Sequence, residues 1–209
     1  MKILLIHGLS RTPLSLANLE WYLQQKGAKT EQFAYLAFAE TFEKIVERLR
    51  EHLQTLGQQG SYGVVAHSLG GLLMRAALGI TSLERPQHIV MLGTPNQPPR
   101  LASYAWRVPP FQWWTGQCGF NLTNHDFFAS LPKLDSPYTI VAGTGGPRGF
   151  WNPFGNELND GIVAVSETLL SDFDNVIQLP VWHTFMMNDP TVQQTVAQAL
   201  CLGEAGVKV

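Results

Sequence analysis

The chain has 209 residues, and its fourteen Lys and Arg nearly balance sixteen Asp and Glu, for a formal charge of −2. That length carries one ordinary domain or two small ones and needs no metal or disulfide staple to hold a core. Hydrophobic residues at 45% exclude a disordered chain, the lack of basic excess argues against a nucleic-acid partner, and Cys118 and Cys201 form neither a metal-ligand motif nor a disulfide framework.

In chain order, residues 3–6 are a short apolar run, as expected of a strand buried on both faces of a parallel sheet, and the run ends at His7-Gly8. Thr12 is placed to cap a helix with Pro13 at its first position and Leu16, Leu19 and Leu23 on one face, stopping at Gly27. A second strand is predicted near residues 31–36. Phe42, Ile45, Val46, Leu49, Leu53 and Leu56 then form the stripe of a second helix that stops at Gly57. Residues 62–67 read as a strand, 69–78 as a helix and 88–92 as a strand. From Gly93-Thr94-Pro95 to about residue 136 the chain is rich in Pro and Trp with little clear periodicity. Alternation then resumes with a strand over 138–142, a Gly-rich loop, a helix ending near 170, a strand over 175–179 and a last helix capped by Asp189.

This rhythm predicts an α/β fold with a mainly parallel central sheet and helices on both faces. With no repeat and no linker, residues 1–209 read as one domain carrying a cap-like insertion over about 95–136. No apolar segment reaches membrane-spanning length, and the chain starts directly on a strand without a signal peptide, so a cytoplasmic protein is expected.

The most informative stretch is Ala66-His67-Ser68-Leu69-Gly70-Gly71, where an apolar strand runs straight into a helix with serine at the corner. A turn this tight exposes the hydroxyl, requires small residues at 66 and 70, and aims the first helical N–H groups at a developing anion. A serine is a weak nucleophile without a base. Of the six histidines, only His7 and His183 lie just beyond the carboxyl end of a predicted strand, where α/β sheets carry chemistry. His183 also follows the serine in chain order with an acid between them. Asp160, in the loop after strand 138–142, is the expected acid and Glu157 its fallback. His67 is expected to point to another side of the strand. His7-Gly8-Leu9 is expected to supply the second oxyanion N–H, from Leu9, beside that of Leu69, with the His7 ring bracing the loop.

Together these segments resemble α/β-hydrolase enzymes, closest to small bacterial lipase-like carboxylesterases. His7-Gly8-Leu9 is similar to their oxyanion loop, Ala66 to Gly71 to their nucleophile elbow, and Leu92-Gly93-Thr94-Pro95-Asn96 to the segment after the next strand. Asp160-Gly161-Ile162-Val163 and His183-Thr184-Phe185-Met186-Met187 are similar to their acid and base loops. Two departures stand out: Ala66 replaces the usual glycine, and Gln97-Pro98-Pro99 follows Thr-Pro-Asn where glycine is common. The resemblance implies ester hydrolysis without a cofactor; no carboxylate cluster suggests a metal, and the aromatic residues of the insertion suggest a small-molecule ester with an apolar acyl group. Trp106, Trp113 and Trp114 are expected to line an apolar cap. A thioesterase or an acyltransferase would use the same residues, and a non-catalytic hydrolase-fold binding protein is the alternative of another class.

Overall fold

The computed structural model describes residues 1–79 and 83–202. Among the described residues, six strands form one sheet: β1 (Lys2–Ile6), β2 (Lys29–Phe33), β3 (Tyr62–His67), β4 (His88–Leu92), β5 (Tyr138–Gly143) and β6 (Val176–Leu179). They are ordered β2-β1-β3-β4-β5-β6, and every adjacent pair is parallel. The connection from β1 runs outward to β2, whereas β3 lies on the other side of β1. The sheet therefore has its topological switch between β1 and β3, the position at which open α/β sheets form a crevice at their carboxyl edge.

Alternation along the strands sorts the core into two layers. Leu4, Ile6, Val64, Ala66, Ile89, Met91 and Ile140 face one side, where α2 (Phe42–Gln58) and α3 (Leu69–Ala77) cover them. Ile3, Leu5, Val65, Val90, Leu92 and Val141 face the other, covered by α1 (Ala17–Gln25) and α7 (Pro190–Ala199). The central strands are apolar on both faces because each face is packed against helices.

Several elements differ from the sequence reading, each for a physical reason. The second strand ends at Phe33 rather than 36 and is mostly polar, since β2 is an edge strand whose outer residues meet water. Pro13 opens a 3-10 turn over Pro13–Leu16 before α1, and the Thr12 side chain makes no capping bond. The helix expected to end near 170 is only a 3-10 turn, Val165–Thr168. The segment between β4 and β5 is helical where irregular chain was expected: α4 (Arg100–Ala105), α5 (Pro109–Asn121) and α6 (His125–Ser130). Pro109 and Pro110 open α5, at the end of a helix where a missing N–H costs nothing. Gly116 breaks α5 at φ +53°, where its backbone passes the carbonyls of Ala37 and Phe38.

This segment is fastened to the loop after β5 by Glu167, a buried carboxylate that the sequence reading did not single out. One oxygen accepts from the backbone N–H and Nε of Arg100 (2.9 and 2.7 Å), and the other from the N–H of Ala164 (2.9 Å). Glu167→Ala leaves two backbone donors without an acceptor, although Arg100 remains partly exposed and rehydrates. The expected loss is about 2 kcal/mol, or roughly 4–8 °C in the thermal midpoint of a chain this size. A midpoint within 1 °C of wild type in calorimetry, about 0.3 kcal/mol or less, would show that the clamp contributes nothing.

Candidate active site

Ser68 stands between β3 and α3 with φ +53° and ψ −122°, a backbone region that costs a non-glycine residue about 1–3 kcal/mol. The strain is imposed by close packing around it. A side chain at Gly70 would lie 2.7 Å from the carbonyl oxygens of Ile6 and His7, and one at Gly71 would overlap Thr94. The turn is pinned by the Ser68 N–H, which donates to Leu92 O at 2.9 Å, and by the Gly71 N–H, which donates to Ser68 O at 3.0 Å.

His183 lies in the loop after β6. Its Nε2 is 3.0 Å from Ser68 Oγ and its Nδ1 is 2.6 Å from Asp160 Oδ2. The other Asp160 oxygen accepts from the N–H groups of Ile162 (3.0 Å) and Val163 (2.7 Å), and the His183 N–H donates to Asp160 O at 2.9 Å. Asp160 and His183 are both buried. Gly93, at φ +55°, lies against the pair; a Cβ there would be 2.9 Å from His183 Nδ1 and 3.1 Å from Asp160 Oδ2. Hydroxyl, imidazole and carboxylate thus form one hydrogen-bonded chain from three separate strand ends. Glu157, the fallback acid, is engaged elsewhere: it pairs with Arg100 at 2.6 Å and accepts from the N–H and hydroxyl of Ser166.

The loop after β1 faces the serine across the sheet switch. Gly8 is so close that a side chain would sit 3.0 Å from Ser68 Cβ. His7 Nδ1 is 2.9 Å from Gly8 O, its ring stacks on Tyr35 at 4.1 Å, and the Tyr35 hydroxyl donates to His7 O at 2.8 Å. Among the described residues, the N–H groups of Leu9 and Leu69 donate to no protein acceptor.

His67 does not point away from the site. Its ring lies 4.9 Å from that of His183, and its Nε2 is 3.1 Å from His183 O, so it braces the His183 backbone from behind. The signal for this was available in the sequence only as adjacency to Ser68. Burial holds the pKa of His67 well below the ordinary 6.5, reinforced by the nearby His183, and burial also lowers that of His7. Both rings therefore take up a proton less readily in the folded chain than in the unfolded chain, whose histidines protonate below about pH 6.5. Their contribution to stability is complete above that pH and is lost on acidification. The thermal midpoint should fall between pH 7.5 and 5.5, and less steeply in His67→Gln. Equal slopes for the two proteins would refute this origin.

A cleft of about 230 Å³ opens on Ser68 and His183. Its apolar wall includes Leu101, Ala102, Ala105, Phe111, Leu122 and Val163, and Arg11 supplies a charge at its edge. The three tryptophans expected there lie outside it. Trp113 and Trp114 are 78% and 65% exposed, and Trp106 packs against Phe111 and Phe120. The helical geometry of α4 and α5 turns smaller side chains toward the serine instead.

No protein-family model and no curated protein sequence matches the chain. Solved structures do. An extracellular alpha/beta-hydrolase from a Paenibacillus species superposes with a TM-score of 0.66 at 12% identity, covering 95% of this chain and 98% of that one. This chain has the α/β-hydrolase fold. A lipase-esterase related protein from Clostridium acetobutylicum shares the fold at TM-score 0.63 and 11% identity, over 95% of this chain and 93% of that one. Phospholipase PlaB from Legionella pneumophila gives 0.64 at 16% identity over 81% of this chain; the match spans only 46% of that longer protein. Within this hydrolase-fold chain, no helix among the described residues is long and apolar enough to cross a membrane.

Proposed function

We propose that the chain is a serine hydrolase cleaving carboxylic esters, with Ser68 as nucleophile, His183 as base and then acid, and Asp160 as the orienting carboxylate. The observation that carries this reading is the unbroken contact from Ser68 Oγ through His183 to Asp160, at 3.0 and 2.6 Å. A hydroxyl within reach of an imidazole, itself fixed by a buried carboxylate, is the arrangement that makes serine nucleophilic.

Ser68 Oγ attacks the acyl carbonyl carbon while His183 Nε2 takes its proton, and Asp160, accepting from Nδ1–H, stabilises the imidazolium. The carbonyl oxygen, now negative, receives the Leu9 and Leu69 N–H groups. The tetrahedral intermediate collapses as His183 returns its proton to the leaving alcohol, leaving an acyl ester on Ser68. Water, deprotonated by His183, adds to that ester, and collapse releases the carboxylic acid and restores the serine hydroxyl. The chemistry asks for no cofactor. The apolar cleft supports a small-molecule ester with an apolar acyl group.

A fluorophosphonate probe should label the wild type at Ser68 and leave Ser68→Ala unlabelled; an unlabelled wild type would favour a binding protein. A series of ester chain lengths then reads the cleft. Medium-chain esters should exceed acetyl esters in kcat/KM by about tenfold or more, given about 0.8 kcal/mol per buried methylene. A marked preference for acetyl esters would remove the apolar acyl group from the proposal.

A further inference from the structure

The cleft over Ser68 is not the largest in the molecule. A second cleft, of about 420 Å³, lies behind the segment that follows β4: Pro95 and Pro99 line the serine cleft, while Asn96, Gln97 and Pro98 line this one. Arg75, Lys133 and His125 all contribute to its wall, and among the described residues no carboxylate does.

Arg75 is the decisive group. It projects from α3, is only 5% exposed, and has no acidic partner within ion-pair distance among the described residues. Its Nε and Nη2 donate to Pro132 O (both at 3.2 Å), Nη2 also to Leu131 O (3.4 Å), and Nη1 to Asn96 Oδ1 (3.1 Å). A guanidinium has five N–H donors, so one Nη1 hydrogen is left over. Burial lowers the Arg75 pKa to about 10, which leaves it cationic at neutral pH. Carbonyl oxygens satisfy hydrogen bonds but not a net charge, and a buried charge ordinarily has a counterion. Asp174, which accepts from the hydroxyl of the cleft residue Tyr138, also accepts from the Ser171 hydroxyl and the N–H groups of Leu170 and Ser171.

We propose that this second cleft binds a small organic anion, with its carboxylate or phosphate head on Arg75 and Lys133 and a short apolar body against Phe128, Leu134 and Leu170. The head neutralises the buried guanidinium, and the apolar wall selects against a bare inorganic ion. The inference is independent of the role given to Ser68.

The test is to titrate octanoate and, separately, inorganic phosphate into the full chain while following backbone amide shifts by NMR. Saturable shifts at Gln97 and Ser171 are expected, with octanoate the tighter ligand. Lys133 is exposed, so Lys133→Glu should fold normally and weaken octanoate at this site by about tenfold or more, whereas Lys26→Glu just past the end of α1 should not. The proposal is overturned by an absence of saturation up to about 10 mM, by shifts confined to Leu9, Leu69 and Thr184, by phosphate binding as tightly as octanoate, or by equal affinity in Lys133→Glu.

Discussion

Ser68→Ala is expected to lower kcat on a carboxylic ester by about 10⁵- to 10⁶-fold, with little change in the fold. The alanine removes one oxygen and leaves the backbone in its strained conformation, since φ +53° is set by the packing of Gly70 and Gly71 against β1 and Thr94. Ser68→Gly separates the two consequences of that geometry. It too lacks the nucleophile, but glycine adopts positive φ without steric cost. Relief of about 1–3 kcal/mol of strain, less the extra backbone entropy of glycine, should raise its thermal midpoint about 2–4 °C above that of Ser68→Ala. Substantial turnover in the alanine variant would end the nucleophile assignment. Identical midpoints for the two variants would show that the serine conformation stores no more than glycine's extra backbone entropy offsets, about 0.5–1 kcal/mol.

The second large effect is expected at Asp160. In Asp160→Asn the amide oxygen still accepts from the Ile162 and Val163 N–H groups, which holds the side chain in place. Its NH₂ then faces His183 Nδ1 where the carboxylate oxygen stood. A donor at that point forces the imidazole into the tautomer protonated on Nε2, so the nitrogen facing Ser68 becomes a donor and cannot accept the serine proton. A loss of about 10⁴-fold in kcat with little change in KM is expected, because the missing interaction operates in the transition state. Steady-state kinetics at neutral pH measures it. A loss below tenfold would mean that another group orients the base.

The parts of this architecture that were legible in the sequence are those where local pattern and tertiary role coincide. The strands from residue 62 and from residue 88 are apolar because both their faces are covered, and the serine corner is marked by small residues that the close approach of β1 demands. Ser68, Asp160 and His183 each follow a strand that was read from the sequence, which puts each at the carboxyl edge of the sheet. What was not legible depends on partners distant in sequence. The second strand was expected near 31–36 but spans Lys29–Phe33, because its bounds follow its pairing with β1 and not its own polar pattern. Pro109 and Pro110 lie in a stretch that shows little clear periodicity, yet they begin a helix. The position of His67 against the carbonyl of His183, 116 residues away, follows only from the folded loop after β6.

The segment from Gln97 to Ser136 supplies much of the apolar surface over the serine but none of the groups assigned to bond making and breaking, which hang from the ends of β1, β3, β5 and β6. On the proposed reading, selectivity and reactivity are thus written in separate stretches of chain. A lineage with this layout can remodel what it accepts by altering α4 and α5 while its chemical machinery stays fixed, and a protein engineer can recombine such segments for the same reason.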